Sequence, residues 1–416
     1  MTEALRDEVP VPPPGTRVRL RDLALREDRE GEWIVGRMAT RTFVAMPGEG
    51  VRALALLRAG TPVDEAARIL REETGEDFDV ADFVTDLAAL GFVARVGERE
   101  LPDAGAPRAS LPWLRPAHVR LALHPALPVL VGVLLAAALV VLVRRPELLP
   151  GYRDLLWSPH GSVVLLTGAA AGWALLFAHE LAHLVTARAA GVPGHVRLGT
   201  RLQFLVMQTD ISGIELAPRR HRLTAYLAGI ALNLSCASAL LLARATTAPG
   251  TAPHRFLAAA LLIALLPLPF QLMVFTRTDV YFVLQDLTGC RNLYGDGLAH
   301  ARHVLRRLRP GGDRGPGPSA RLPARERRAV RVYSVVLVLG TALCLCFLAA
   351  VTLPADLTLL AHAARDLVRG GGAARIADAA LVLTVLGGIN VLWAVTWWRG
   401  RRARRRDRER WREGAR

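Results

Sequence analysis

Lysine is absent from this chain of 416 residues, so all 53 basic side chains are arginine, and the formal net charge is +16. Aromatic residues make up only 6% of the chain, whereas 52% of its residues are hydrophobic. This composition is typical of a membrane protein that carries a modest soluble part, and it argues against a single cytosolic globule.

Cysteine is also scarce. The four cysteines lie in or near apolar segments, which argues against a disulfide framework, and the only metal-type spacing among them is one weak Cys-x-Cys inside a predicted span. They are Cys236, Cys290, Cys344 and Cys346. The first 15 residues, MTEALRDEVPVPPPG, have no apolar signal core, so we expect a flexible N-terminus (1–15) and a first domain that stays in the cytoplasm.

The arginines cluster in two runs, at 300–331 and 399–416, and each run lies beside a long hydrophobic segment. The positive-inside rule places such runs in the cytoplasm. Binding to nucleic acid is the other interpretation of arginine runs. Because their juxtamembrane position already explains them, we predict no nucleic-acid partner.

Residues 16–97 have the pattern of a small α+β, winged-helix-like cytoplasmic domain, followed by a linker at 98–117. Helical spacing of apolar residues predicts three helices, and Asp79 is a candidate N-cap for the third. Strand-like runs are predicted at 18–25, 33–38, 42–46 and 92–96.

The rest of the chain predicts an α-helical multi-pass membrane protein with about six transmembrane helices, because each apolar segment has about the 20 residues that a bilayer requires. The predicted spans are 121–143, 162–185, 223–243, 256–275, 332–353 and 379–398. The first four belong to a core at 118–298, which a basic loop (299–331) separates from two C-terminal helices (332–398) and a basic tail (399–416). An even number of spans puts both termini on the same side of the membrane. Because the first domain is expected to be cytoplasmic, that side is the cytoplasmic face of the inner membrane.

The sequence His179-Glu180-Leu181-Ala182-His183 lies inside the second predicted span. Residues four apart share one face of a helix, so the two histidines can hold one metal ion, while Glu180 can reach a water on that metal. Ionisable residues at membrane depth are costly, and a bound metal would compensate for that cost. The spacing therefore indicates a zinc site with a general base.

A catalytic zinc ion usually has three protein ligands and one open position. Asp279 is the candidate for the third ligand, since it follows the fourth span, which ends at the same membrane face as the motif. The alternative is that Asp279 is an interfacial residue paired with Arg277.

These segments resemble the site-2-protease-like intramembrane zinc metallopeptidases, in particular the branch described as putative peptide zinc metalloproteases. The resemblance covers roughly residues 160–295. It rests on the motif helix, on Ala228-Gly229 with Asn233, and on Arg277-Thr278-Asp279-Val280-Tyr281-Phe282.

The resemblance implies His179, His183 and Asp279 as ligands of one Zn²⁺ and Glu180 as the general base, and it aligns Asp286 with a position that is not a ligand. The chain departs from the family where Val280 follows the acidic ligand and where Ile230 follows Gly229. These departures put the shape of the backbone around the metal, and hence the activity, in question.

The N-terminal domain resembles the leader-peptide recognition domains of the pyrroloquinoline-quinone peptide-chaperone type. Such domains bind a peptide by adding it as a strand to a sheet edge. A dimerising or regulatory winged helix without a peptide ligand is the alternative. Residues 192–216 have a loose apolar alternation, which predicts a pair of strands. The edge of that pair could bind an extended substrate.

These patterns predict an intramembrane zinc endopeptidase that cleaves a peptide or protein substrate near the cytoplasmic membrane face, in the maturation or export of a ribosomally made peptide. Two alternatives remain open. One is a membrane accessory that binds or transports peptides without cleaving them, and the other is a regulatory protease that acts on a membrane-tethered factor.

Overall fold

The structure, a computed structural model, describes residues 12–413 apart from a few short gaps. The gaps are 29–30, 39, 41, 104–108, 159–160, 203, 308–315 and 370–371. Part of the predicted flexible N-terminus, the greater part of the basic loop and much of the linker are therefore described, whereas residues 1–11 and 414–416 lie outside the described residues.

The N-terminal domain consists of two three-stranded antiparallel sheets and three helices. Its strands are β1 Val18–Leu20, β2 Ala24–Glu27, β3 Trp33–Arg37, β4 Thr42–Met46, β5 Val93–Val96 and β6 Arg99–Glu100. Its helices are Gly48–Arg58, Val63–Thr74 and Val80–Ala89. One sheet has the order β1-β5-β6 and the other the order β2-β3-β4, and both pack on a core to which all three helices contribute.

The predicted strand at 18–25 is in fact two strands in different sheets, because β1 pairs with β5 whereas β2 pairs with β3. The chain changes sheet between them, where the Arg21 guanidinium donates to the Val93 carbonyl and Leu23 is buried. The predicted cap of the third helix is confirmed, since the Asp79 carboxylate accepts a hydrogen bond from the Asp82 backbone.

The domain extends further than the predicted boundary at residue 97. Strand β6 lies inside the predicted linker, and Asp103 beyond it accepts hydrogen bonds from Arg21 and Arg37 at 3.0 Å. The first residues of the predicted linker thus complete the β1-β5-β6 sheet, and Asp103 links the chain that follows it to strand β3 of the other sheet.

Five helices of the described chain are long and apolar enough to cross a membrane. They are Ala126–Arg144, Arg219–Ala245, Ala252–Gln271, Ala324–Ala350 and Ala379–Arg402. On the first of them Leu130 and Val143 are 65% and 74% exposed, as expected for side chains that face lipid rather than protein. The five correspond to predicted spans one, three, four, five and six.

The motif helix, Gly161–Ala189, is 29 residues long and corresponds to the second predicted span. It is not one of the five candidate spans, so a sixth membrane crossing stays a prediction. The predicted basic loop is largely helical where it is described, because helix Leu293–Arg307 enters it and helix Ala324–Phe347 begins before its end.

After the motif helix the chain forms the predicted strand pair as an antiparallel hairpin, β7 His195–Arg201 and β8 Phe204–Asp210. Strand β8 contacts the motif helix, and a short 3-10 turn, Ser212–Leu216, follows it. The hairpin therefore runs beside the helix that carries the His-Glu-His sequence.

Candidate metal centre

The two motif histidines point to one place from the same face of the motif helix. Their Nε2 atoms are 3.2 Å apart, and only 6% of His179 and 5% of His183 is exposed. On the far side of its ring, His183 places Nδ1 2.7 Å from the carbonyl oxygen of Ala225 in helix Arg219–Ala245. A backbone carbonyl at this atom fixes the ring orientation, as is usual for histidines that bind metals.

Asp279 completes the cluster from a different part of the chain. Its Oδ2 lies 3.0 Å from His179 Nε2 and 3.2 Å from His183 Nε2. All three donor atoms lie within 4.8 Å of one another, close enough to hold one metal ion. Burial raises the pKa of Asp279, but the charge of the neighbouring imidazoles outweighs burial and lowers that pKa below its ordinary value, which favours the carboxylate.

Two polar contacts hold the loop that presents Asp279. The Asp279 backbone N–H donates to the side-chain oxygen of Gln271, and the Thr278 hydroxyl donates to the Gln271 carbonyl, at 3.1 and 2.7 Å. Gln271 is the last residue of the fourth candidate span, Ala252–Gln271, so both contacts anchor the loop to the end of that span. Sequence reasoning did not identify Gln271, because nothing in the pattern distinguishes it from other polar residues near a membrane face.

Arg277 is engaged elsewhere than with the Asp279 carboxylate. Its backbone is left-handed (φ 62°), and its guanidinium lies 5.5 to 5.9 Å from the ring centres of Tyr281, Phe282 and Tyr294. In the structure the Arg277 guanidinium thus lies against aromatic rings and does not form the alternative ion pair with Asp279. Cation–π contacts of this kind stabilise the turn into helix Asp279–Thr288.

The other nearby carboxylate, Asp286, is turned away from the histidines. It accepts hydrogen bonds from Arg219 and Arg222 at 2.9 and 2.6 Å, and its side chain is only 4% exposed. Asp286 therefore neutralises a buried arginine.

Glu180 is buried beside the cluster, with 7% of its surface exposed. Its Oε2 accepts a hydrogen bond of 2.6 Å from the Thr209 hydroxyl on strand β8, and the same hydroxyl lies 3.1 Å from the Glu180 carbonyl oxygen. The hairpin thus supplies the group that orients the candidate base. The sequence pattern assigned Thr209 no role, and only the fold reveals this contact.

Three observations bear on whether a metal fits. A Cβ atom added to Gly229 would lie 2.4 Å from His179 Nε2 and 2.6 Å from His183 Nε2, so a glycine keeps the space beside the donor atoms open. Two imidazoles and one carboxylate are also a common ligand set of catalytic zinc sites. Finally, the Ala225 carbonyl orients His183 from outside the cluster. The residues present therefore fit a zinc ion.

Asn233 lies one helical turn beyond Gly229 and is 1% exposed, and its side-chain oxygen has no hydrogen-bond partner among the described residues. Buried amide oxygens are normally paired, so the unpaired oxygen of Asn233 is an unfilled hydrogen-bond acceptor on the helix that carries Gly229. No sequence pattern assigned Asn233 a definite role.

No protein-family model, no curated protein and no solved structure matches this chain. The resemblance to a known family therefore rests on the sequence motifs quoted above alone.

Proposed function

We propose that the protein is a membrane-embedded zinc endopeptidase that hydrolyses peptide bonds near the cytoplasmic face of the inner membrane. One observation carries this proposal: His179, His183 and Asp279 bring their donor atoms within 4.8 Å of one another, beside the buried carboxylate of Glu180. The three side chains come from two elements about a hundred residues apart in sequence, an arrangement that a structural histidine pair does not need.

His179, His183 and Asp279 would hold the metal, leaving one position open. Bound zinc supplies Lewis acidity, which activates water and polarises a peptide carbonyl. Glu180 accepts the proton of the attacking water and later delivers it to the departing amine. The Thr209 hydroxyl holds the Glu180 carboxylate in one orientation throughout, and Asn233 offers a polar contact to the bound peptide.

The substrate we propose is an extended peptide or protein segment. Proteolysis needs the scissile peptide extended, and the β7–β8 hairpin lies beside Glu180, where its backbone can pair with such a chain. The N-terminal domain, with its β2-β3-β4 sheet, would capture a leader peptide before cleavage. Both termini would then face the cytoplasm, on the side where the ribosomally made peptide arrives.

The test compares the wild-type protein with Glu180→Gln in lipid nanodiscs, using a library of peptides and mass spectrometry of the products. We expect the wild type to cleave, and Glu180→Gln to bind zinc and retain peptides without cleaving them. Zinc bound by both proteins with no turnover in either would instead indicate the non-cleaving accessory. Trapped membrane-spanning segments would indicate the regulatory protease.

A further inference from the structure

The N-terminal domain contacts the membrane region through the turn that joins β3 and β4. In this turn Met38 packs against an apolar cluster formed by the end of the motif helix, the 3-10 turn Ser212–Leu216 and helix Arg219–Ala245. A Cβ atom at Gly213 would lie 3.0 Å from the Met38 carbonyl oxygen. The two backbones therefore approach so closely that a larger residue at position 213 would separate them.

Charged groups reinforce this contact. The Arg291 guanidinium reaches Asp28 at 2.8 Å and Glu32 at 2.5 Å, and both carboxylates lie in the connection between β2 and β3. The half-buried Arg26 of strand β2 also faces the membrane region, where the carboxylate of Glu215 attracts it and the guanidinium of Arg222 repels it. Apolar and charged contacts thus place one sheet of the domain against the core.

The same apolar cluster leads to the metal centre. It contains Ala187, one helical turn beyond His183, and Ala225, whose carbonyl oxygen lies 2.7 Å from His183 Nδ1. Both alanines are fully buried, so the cluster has little free space in which either could shift. The position of the Met38 turn and the orientation of the His183 ring therefore depend on the same packing.

We infer that the N-terminal domain is a docked part of the metal centre, in which Met38 is a positioning residue for His183. The inference rests on the proposed function, because it takes His183 to be a metal ligand. It also gives the domain a second role besides peptide capture. A peptide that binds as an extra strand of the β2-β3-β4 sheet would join the same sheet whose β3–β4 turn carries Met38 and packs next to the metal centre.

The experiment measures the dissociation constant of Zn²⁺ for the full chain in nanodiscs, by competition with a chromophoric chelator. Met38→Asp places a carboxylate in the apolar cluster, and we expect zinc binding to weaken about tenfold or more, as for other residues that orient metal ligands. Met38→Leu preserves the packing and is expected to bind zinc as the wild type does.

A second arm uses charge and is independent of core packing. Arg291→Glu sets a third carboxylate beside Asp28 and Glu32, and we expect zinc binding about two- to fivefold weaker, the size of a surface ion pair. Adding Glu32→Arg to this variant restores an opposite-charge pair and should restore the wild-type value. Arg302→Glu, at an exposed arginine of helix Leu293–Arg307, which begins two residues after Arg291, serves as the matched control and should have no effect.

Equal zinc affinity in the wild type, Met38→Asp and Arg291→Glu would overturn the inference and leave the proposed function intact. If Met38→Asp fails to fold, the Arg291→Glu variant and its rescue by Glu32→Arg decide the matter alone. A wild-type protein that binds no zinc would remove the proposed function, and the inference with it.

Discussion

Gly229 illustrates how the site depends on single atoms. A methyl group there would lie 2.4 Å from His179 Nε2, well inside van der Waals contact. We expect Gly229→Ala to displace a ring, at a cost of about 1–3 kcal/mol, and to lower the zinc content of the purified protein. Gly172→Ala is the matched control, because Gly172 also lies in a long helix, the motif helix, and a Cβ atom added there would have no neighbour within 4 Å. Full zinc content in Gly229→Ala would contradict this account of the site.

Thr209 supplies the hydrogen bond that orients Glu180. Thr209→Val keeps the shape of the side chain but removes the hydroxyl, leaving the buried carboxylate without its 2.6 Å donor. We expect kcat/KM for peptide cleavage to fall about tenfold or more while zinc content stays unchanged. Thr209→Ser retains the hydroxyl and should restore most of the activity. Loss of zinc in Thr209→Val would show that the threonine supports the ligands instead.

At the residue scale, sequence spacing was enough to place His179 and His183 together, because the helix period puts residues four apart on one face, and Glu180 is next to His179 in the chain. Asp279 required the assumption that two spans end at one depth, and the structure brings it within 3.2 Å of both rings. Thr209 and Gln271 could not be found this way, since their contacts depend on the path of a hairpin and a loop. Their roles come from tertiary structure alone.

At the scale of the elements, the position at which the N-terminal domain ends can be tested directly. Asp103 joins Arg21 and Arg37 through hydrogen bonds of 3.0 Å, although its side chain is 41% exposed. We expect residues 12–103 to fold as a separate fragment and Asp103→Ala to cost this fragment about 1 kcal/mol. That loss corresponds to a fall in Tm of roughly 4–8 °C in a thermal unfolding scan.

Glu98→Ala is the control for this change, because Glu98 is an exposed carboxylate near the same sheet. An equal Tm for Asp103→Ala and Glu98→Ala would show that the domain ends before Asp103. The sequence pattern placed the end at residue 97, since β6 has only two residues and neither is apolar. Apolar alternation cannot detect so short a polar strand.

The sequence located the helices better than the strands. Apolar runs of about 20 residues mark five candidate spans, with ends displaced by a few residues. The strand run at 18–25 was read as one element, because alternation does not show where a chain leaves one sheet for another. Helix Leu353–Arg369, between the last two candidate spans, was not predicted, since its polar residues interrupt the apolar pattern.

For the whole molecule, the number of membrane crossings before the metal centre decides which side of the membrane the metal centre faces. If the motif helix crosses the bilayer, the loop around Gly250 lies outside and the segment around Gly312 lies inside. We expect an alkaline phosphatase reporter fused after Gly250 to be active and one fused after Gly312 to be inactive. The opposite pattern would show that the motif helix does not cross, and would place the β7–β8 hairpin on the outer side.

The central claim is that two histidines and one aspartate hold a zinc ion beside Glu180. Its most direct measurement is the zinc content per chain of purified wild-type, Glu180→Gln, Asp279→Asn and Asp286→Asn proteins, by inductively coupled plasma mass spectrometry. We predict one zinc in the wild type, in Glu180→Gln and in Asp286→Asn, and almost none in Asp279→Asn. A wild-type protein without bound metal, or an Asp279→Asn variant that retains a full zinc ion, would contradict the account.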